Sequence, residues 1–291
     1  MENIDGLKEC ILYDKKEDSS VVCNVCSHRC KILEGKTGIC RVRKNISGKL
    51  YSLVYGLIAA SAIDPIEKKP LYHFSPNSSA YSIGTVGCNF RCNFCQNHNL
   101  AFSDEIDGDS ISPQQVVENA FYYGCESIAY TYNEPIIFFE FLSDCAELAK
   151  EEGISNVMVT NGYFTKEALD FLKGKIDAMN IDLKSFSDDF YRKNCGAKLE
   201  PVLETIRNAS KEKIHLEITT LIIPGENDSE EELRNIAEFI ASVNKNIPWH
   251  ISRFFPMYKM LNKTPTPRET LEIAYKIGKD AGLKYVHIGN I

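Results

Sequence analysis

The feature that most constrains this chain is Gly87-Cys88-Asn89-Phe90-Arg91-Cys92-Asn93-Phe94-Cys95-Gln96. Its three cysteines, spaced C-x3-C-x2-C, stand directly behind the strand-like run Tyr81–Val86. Such a loop can bring three thiolates onto one small inorganic centre. Four thiolates would close a tetrahedral zinc site. Three leave one coordination position open, and an open position is where a metal centre does chemistry.

The other cysteines raise the same question, because the chain has 11 in 291 residues. No apolar run approaches the ~20 residues that span a bilayer, and Met1–Asp18 is too acidic for a signal peptide, so the cytosol is the expected location. In that reducing compartment clustered cysteines read as metal ligands rather than disulfides. Cys23, Cys26, Cys30 and Cys40 form a second group, while Cys10, Cys125, Cys145 and Cys195 are scattered and read as small buried hydrophobes. A net charge of −7 and a pI near 5.5 argue against a broad nucleic-acid surface. Neither nucleic acid nor a membrane is an expected partner.

Residues 1–79 lack a helix–strand rhythm and read as an N-terminal Cys-rich module with its connector. The knuckle Cys23-x2-Cys26, then Cys30, then Cys40 behind Gly35 and Gly38, resembles a small four-ligand metal module. Zinc there would be a folding staple; an iron–sulfur cluster would be an electron relay. The spacing leaves both open. His28 can replace one thiolate, although a solvent-facing histidine is the expectation. Tyr51–Ala62 leans towards β structure, and Asp64–Pro70 reads as a turn-rich connector.

From residue 80 to 291 a rhythm sets in. Strand-like runs fall at Tyr81–Val86, Ser127–Thr131, Asn156–Thr160, Ala178–Leu183, Ile214–Ile223, His250–Phe254 and Lys284–Ile288. Helical patterns separate them, with ends such as the capping box Ser112-Pro113-Gln114-Gln115 and the stop at Gly153. This alternation predicts right-handed βαβ units on a parallel sheet. Seven strands and six crossovers can close, or nearly close, into a barrel, with a doubly wound sheet as the competing arrangement. Either one gathers the residues behind each strand at one end of the sheet.

Those residues form a consistent set. Glu134 follows the second strand ahead of Pro135, placed to hold an amine. Thr160 and Asn161 end the third with Gly162 behind them. Asp182 and Lys184 end the fourth on one face, either as site groups or as a structural ion pair. Ile222–Gly225 offers an apolar ledge, and Arg253–Lys259 a cationic and aromatic wall. Together they suit a ligand with an amine, a carboxylate, hydroxyls and a flat ring.

Cys88-x3-Cys92-x2-Cys95, with Phe94 before the last cysteine, resembles the signature of radical S-adenosylmethionine (SAM) enzymes. Within them the chain is similar to the pyruvate formate-lyase activating enzyme group. More closely, Asp64–Leu71, Gly84–Phe90 and Tyr130–Pro135 resemble the AmmeMemoRadiSam-system branch. The resemblance implies a partial TIM barrel, (βα)6 with a seventh strand, and a [4Fe–4S] cluster on Cys88, Cys92 and Cys95. The fourth iron would chelate SAM, and an electron from a flavodoxin- or ferredoxin-type donor would cleave it to methionine and a 5′-deoxyadenosyl radical. By position, Glu134 would bind the SAM amine and Phe94 would line the adenine. Thr160, Asn161, Asp182 and Lys184 would meet the ribose and carboxylate.

Hydrogen abstraction from a protein glycine is the substrate chemistry inherited from the activating enzymes, alongside another protein or a small molecule. Tyr132 and Asn133 stand where the family often has two glycines, and Val159 where the activating enzymes have an aspartate. No cysteine insert follows Gln96, so a second metal centre, zinc or iron–sulfur, would have to use the N-terminal cysteines. The chain stops at Ile291 directly behind a strand, and a natural continuation is an expectation. The rival readings are a zinc-stapled non-catalytic scaffold and an iron–sulfur electron-transfer protein.

Overall fold

The computed structural model describes residues 6–291; the first five positions of the Met1–Asp18 segment lie outside the described residues. The Cys-rich module is built of short antiparallel strands. Lys8–Glu9, Lys49–Ser52 and Arg43–Ile46 form one three-stranded sheet, and Tyr13–Lys15, Val21–Cys23 and Lys31–Ile32 form another. Alternating side chains on such short strands cannot enclose a core alone, and the module packs against the larger α/β body. Arg43, buried, pairs bidentately with buried Glu140 at 2.8 Å through both nitrogens.

The main body is an α/β fold on an eight-stranded, mostly parallel sheet. Its strands are β1 (Ala60–Pro65), β2 (Ser79–Gly84), β3 (Ser127–Tyr130), β4 (Ser155–Thr160), β5 (Ala178–Asp182), β6 (His215–Ile222), β7 (Trp249–Arg253) and β8 (Val286–Gly289). They lie in that order from one edge to the other, β1 antiparallel and the rest parallel. A doubly wound sheet would reverse its strand order at a switch point; this one does not.

The order follows from the helices. α1 (Pro113–Tyr122), α2 (Phe139–Glu151), α3 (Lys166–Leu172), α4 (Glu200–Ala209), α5 (Glu230–Val243) and α6 (Arg268–Asp280) each carry the chain to the next strand. The capping box forms as expected: Gln115 N donates to Ser112 Oγ, and Ser112 N to Gln115 Oε1. Thr165 and Ser229 cap α3 and α5 through the same side-chain acceptor. β3 is buried at every residue, as expected of a parallel strand covered on both faces.

One segment divides differently from its sequence reading. Ala60–Pro65, read as the end of a β-leaning run and the start of a connector, is one strand that pairs antiparallel with β2 across Ala60↔Gly84 to Pro65↔Ser79. Its faces reverse the usual pattern, with Ile63 exposed and Asp64 buried, so its apolar signal is weak. At the opposite end of the sheet from the cysteine loop, Glu217 closes the interior. It accepts from His215 Nε2 at 2.8 Å, His250 Nε2 at 2.6 Å and the backbone N–H groups of Tyr72 and His73.

Candidate active site

The cysteine loop follows β2 and is clamped from two sides. Gly87 takes φ +90°, and a Cβ there would stand 2.8 Å from the Cys40 carbonyl oxygen, so only glycine lets the Cys-rich module come this close. Arg91 donates to the carbonyls of Cys88 and Phe90 at 2.9 Å and also reaches Ile39 O. On the far side, the single π-turn Tyr191–Cys195 accepts from the loop: Arg91 N donates to Cys195 O at 2.8 Å and Asn93 N to Asn194 O at 2.9 Å. The Cys195 side chain, fully buried, hydrogen-bonds Cys92.

Beside the loop, at the C-terminal ends of the strands, opens a cleft of about 660 Å³. Cys88, Cys92 and Cys95 line it, as do Phe94, Glu134, Thr160, Asn161, Asp182 and Lys184. The structure therefore brings these nine expected site residues together. The four N-terminal cysteines line a separate cavity. Ile222–Gly225 and Arg253–Lys259 do not line the cleft. Arg253 donates to Thr266 O at 2.9 Å, and Tyr258 stacks on His98 behind the loop. The residues that do face the cleft there are Leu221 and Ser252, earlier in β6 and β7.

Glu134 is the best-held group. Thr160 Oγ1 donates to its Oε1 at 2.7 Å, Ile136 N to the same oxygen at 3.1 Å, and Asn161 N to Oε2 at 2.7 Å. Burial outweighs these donors and raises its pKa to about 7. With three of about four acceptor positions filled, one remains for a ligand donor. Thr160 and Asn161 thus position Glu134 in this structure. Asn161 also donates through Nδ2 to Asn89 Oδ1 at 2.8 Å.

Lys184 Nζ sits 2.7 Å from Asp182 Oδ2 and 5.8 Å from the Phe94 ring centroid. Burial opposes its charge, but Asp182 and the sulfurs of Cys92 and Cys195 hold it well above the usual lysine range. The two form an ion pair on the cleft wall. Burial, then Glu134, pushes the Cys88 thiol up; burial pushes Cys95 up to about 11. A metal centre that binds them must displace protons.

Two groups were not singled out from sequence. Asp64, on the edge strand β1, accepts from Lys69 at 2.7 Å, Lys68 at 3.0 Å and Tyr132 Oη at 3.1 Å on the cleft wall. Asn133, one of the residues in place of glycine, donates to Gly87 O at 2.8 Å. Both lie in the motifs Asp64–Leu71 and Tyr130–Pro135, the one available signal. His28 corrects an expectation: it does not face solvent. Its Nε2 lies 2.8 Å from Asn89 O and its ring packs on Tyr163, because the module folds down onto the loop.

The donor set tests the expected cluster. Three thiols line one cleft, while the fourth cysteine near them, Cys195, is fully buried against Cys92 and does not line it. Three cysteines on one open cleft suit a polynuclear cluster, whose irons each take one thiolate and leave one iron free. The residues fit.

Fold and site together define a class: an α/β protein with a three-cysteine centre at the strand ends of a parallel sheet. The Radical SAM superfamily model matches residues 82–240, and the chain belongs to that superfamily. A protein of Methanocaldococcus jannaschii described as uncharacterized is 46% identical over 288 residues, 98% of this chain and 86% of the relative. A putative glycyl-radical enzyme activating enzyme of the same organism is 30% identical over 219 residues, 72% of this chain and 79% of the relative. A radical SAM methyltransferase structure from Sphaerobacter thermophilus superposes with TM-score 0.59 at 14% identity, covering 74% of this chain and 67% of that one. At that identity it speaks for the fold alone.

Proposed function

We propose that the chain is a radical SAM enzyme that binds a [4Fe–4S] cluster through Cys88, Cys92 and Cys95 and SAM in the adjoining cleft. The observation that carries this reading is the cleft itself, where the three cysteines share one wall system with Glu134 and the Asp182–Lys184 pair. When bound and reduced, the cluster supplies the electron that cleaves SAM to methionine and a 5′-deoxyadenosyl radical, which takes hydrogen from a substrate. Glu134, fixed by Thr160 and Asn161, holds the SAM ammonium through its remaining acceptor position. Lys184 and Asp182 meet the carboxylate and a ribose hydroxyl, and Phe94 lines the adenine. Burial of Glu134, Thr160 and Phe94 keeps water from competing for their contacts.

The uninterrupted strand order and six helical crossovers support reading the sheet as a partial (βα)6 barrel with a seventh strand. Residues 80–291 then form the catalytic body and residues 1–79 the Cys-rich module and its connector. The electron donor is of flavodoxin or ferredoxin type, in the cytosol; among the described residues no helix is long and apolar enough to cross a membrane. For the substrate, the relative described as a putative glycyl-radical enzyme activating enzyme favours a backbone glycine of a protein partner.

The test is spectroscopic. SAM added to the anaerobically reconstituted, reduced protein shifts the EPR signal of the cluster, and Cys88→Ala removes both signal and shift. An EPR signal unchanged by saturating SAM would contradict the reading. A glycyl-radical doublet on a candidate partner supports the glycine substrate; deuterium passing from a small metabolite into 5′-deoxyadenosine opposes it.

A further inference from the structure

The function proposed above leaves the four N-terminal cysteines unused. Cys23, Cys26, Cys30 and Cys40 line a single cavity of about 20 Å³, more than the ~10–15 Å³ that one water needs on the same measure. Much of the remaining wall is apolar: Val25 and Ile32 from the module, Ile136 and Ile137 from the turn behind β3. A void among close-packed side chains forfeits dispersion contacts, and an apolar one holds water poorly. Four sulfurs around such a hole point to an occupant.

The polar members of the wall say what kind. Arg43 and Asn89, 2% and 1% exposed, each leave a buried N–H group without a partner, Arg43 Nε and Asn89 Nδ2. Both residues line this cavity. Buried donors are normally satisfied, so the occupant supplies acceptors. His28 lines the cavity as well, its Nε2 on Asn89 O, and the four sulfurs fill a four-ligand centre without it.

Width separates zinc from a cluster. Zinc holds thiolates at about 2.3 Å and draws all four around one point. Sulfurs drawn that close leave no water-sized space between them, whereas Cys23, Cys26, Cys30 and Cys40 border a cavity of about 20 Å³. An iron–sulfur cluster spreads its thiolates over separate irons and presents sulfides that accept hydrogen bonds.

We propose that Cys23, Cys26, Cys30 and Cys40 bind a second [4Fe–4S] cluster, with Arg43 and Asn89 donating to its sulfides. Each iron takes one cysteine, no position is left open, and the cluster exchanges single electrons instead of binding SAM. Its neighbour is the centre on Cys88, Cys92 and Cys95, a pairing that rests on the proposed function. Asn89 separates the two. It lines the N-terminal cavity, and its Oδ1 lies 3.8 Å from Cys88 Sγ. Behind it the Cys40 carbonyl packs on Gly87.

The test is a metal and sulfide count on the whole chain, reconstituted anaerobically with iron, sulfide and zinc all present. Wild type should hold about eight iron and eight sulfide, and Cys88→Ala/Cys92→Ala/Cys95→Ala should keep about four of each with a four-iron Mössbauer spectrum. After reduction, wild type should show an EPR spectrum broadened by coupling between two centres, and the triple variant a single uncoupled one. Wild type carrying one zinc per chain beside a single cluster would overturn the proposal. So would a triple variant without iron and sulfide. The wild-type count decides the matter even if a variant fails to fold. A triple variant that keeps its cluster while Cys23→Ser/Cys26→Ser/Cys30→Ser/Cys40→Ser keeps none would count against the proposed function and leave this site standing.

Discussion

Asn89 and Asn161 are joined side chain to side chain, Nδ2 of Asn161 donating to Oδ1 of Asn89 at 2.8 Å with both residues buried. The contact ties the cysteine loop behind β2 to the end of β4. Asn161 passes the constraint on, because its backbone N–H holds Glu134 at 2.7 Å. Loop and carboxylate are therefore positioned by one short chain of hydrogen bonds.

Breaking that chain has a defined signature. Asn89→Ala leaves all three loop cysteines in place but frees the Asn161 amide. Losing one buried hydrogen bond costs about 1–1.5 kcal/mol, so SAM affinity should fall about tenfold while Cys88, Cys92 and Cys95 still retain iron. Equilibrium binding of SAM beside iron analysis checks both halves.

On the proposed function, Glu134 should make SAM binding pH-dependent. Its pKa is raised by burial to about 7, so the carboxylate that an ammonium requires is present above that pH and protonates below it. Affinity for SAM should fall as the pH drops through that value. Glu134→Gln should weaken binding on the alkaline side by an amount matching ~1.5–3 kcal/mol for a charged hydrogen bond, and flatten the profile. A profile from isothermal titration in both proteins decides it.

Much of this site was legible in the sequence alone. Glu134, Thr160, Asn161, Asp182 and Lys184 each end a parallel strand, and the alternation of strands and capped helices states where such ends gather. What stayed hidden depends on contacts across long sequence separations. His28 looked exposed because nothing near it in sequence covers it; residues 89 and 163 do. Arg253 and Lys259 looked like site cations, but the chain turns away behind β7 and spends Arg253 on Thr266. The edge strand β1 carries too weak an apolar pattern to announce its partner. Asn89 was read only as part of a motif, its role visible once β2 and β4 were both in place.

The Arg43–Glu140 pair anchors the Cys-rich module to α2. Both side chains are buried, so Arg43→Met leaves an uncompensated carboxylate and should destabilise the protein by about 3–5 kcal/mol. Arg43→Met/Glu140→Leu should recover part of that loss. Urea unfolding of the two variants against wild type measures it.

Glu217 predicts acid lability at the far end of the sheet. Burial opposes its charge, yet His215, His250 and the backbone donors lower its pKa to about 2 from an ordinary 4.5. A depressed carboxylate stabilises the fold fully above its unfolded value and loses that contribution as pH falls through the folded one. Wild type should therefore lose stability between pH 4.5 and 2, and Glu217→Gln should be less stable at neutral pH with a flatter acid limb. Denaturant midpoints across that range are the readout.

The central claim is that the three-cysteine cleft cleaves SAM. The direct measurement is product analysis after anaerobic reconstitution, with SAM and dithionite supplied to wild type and to Cys88→Ala. Wild type should yield 5′-deoxyadenosine and methionine in equal amounts, and the variant neither above background. Absence of both products from a wild-type preparation with its cluster intact, or equal yields from the two proteins, would contradict it.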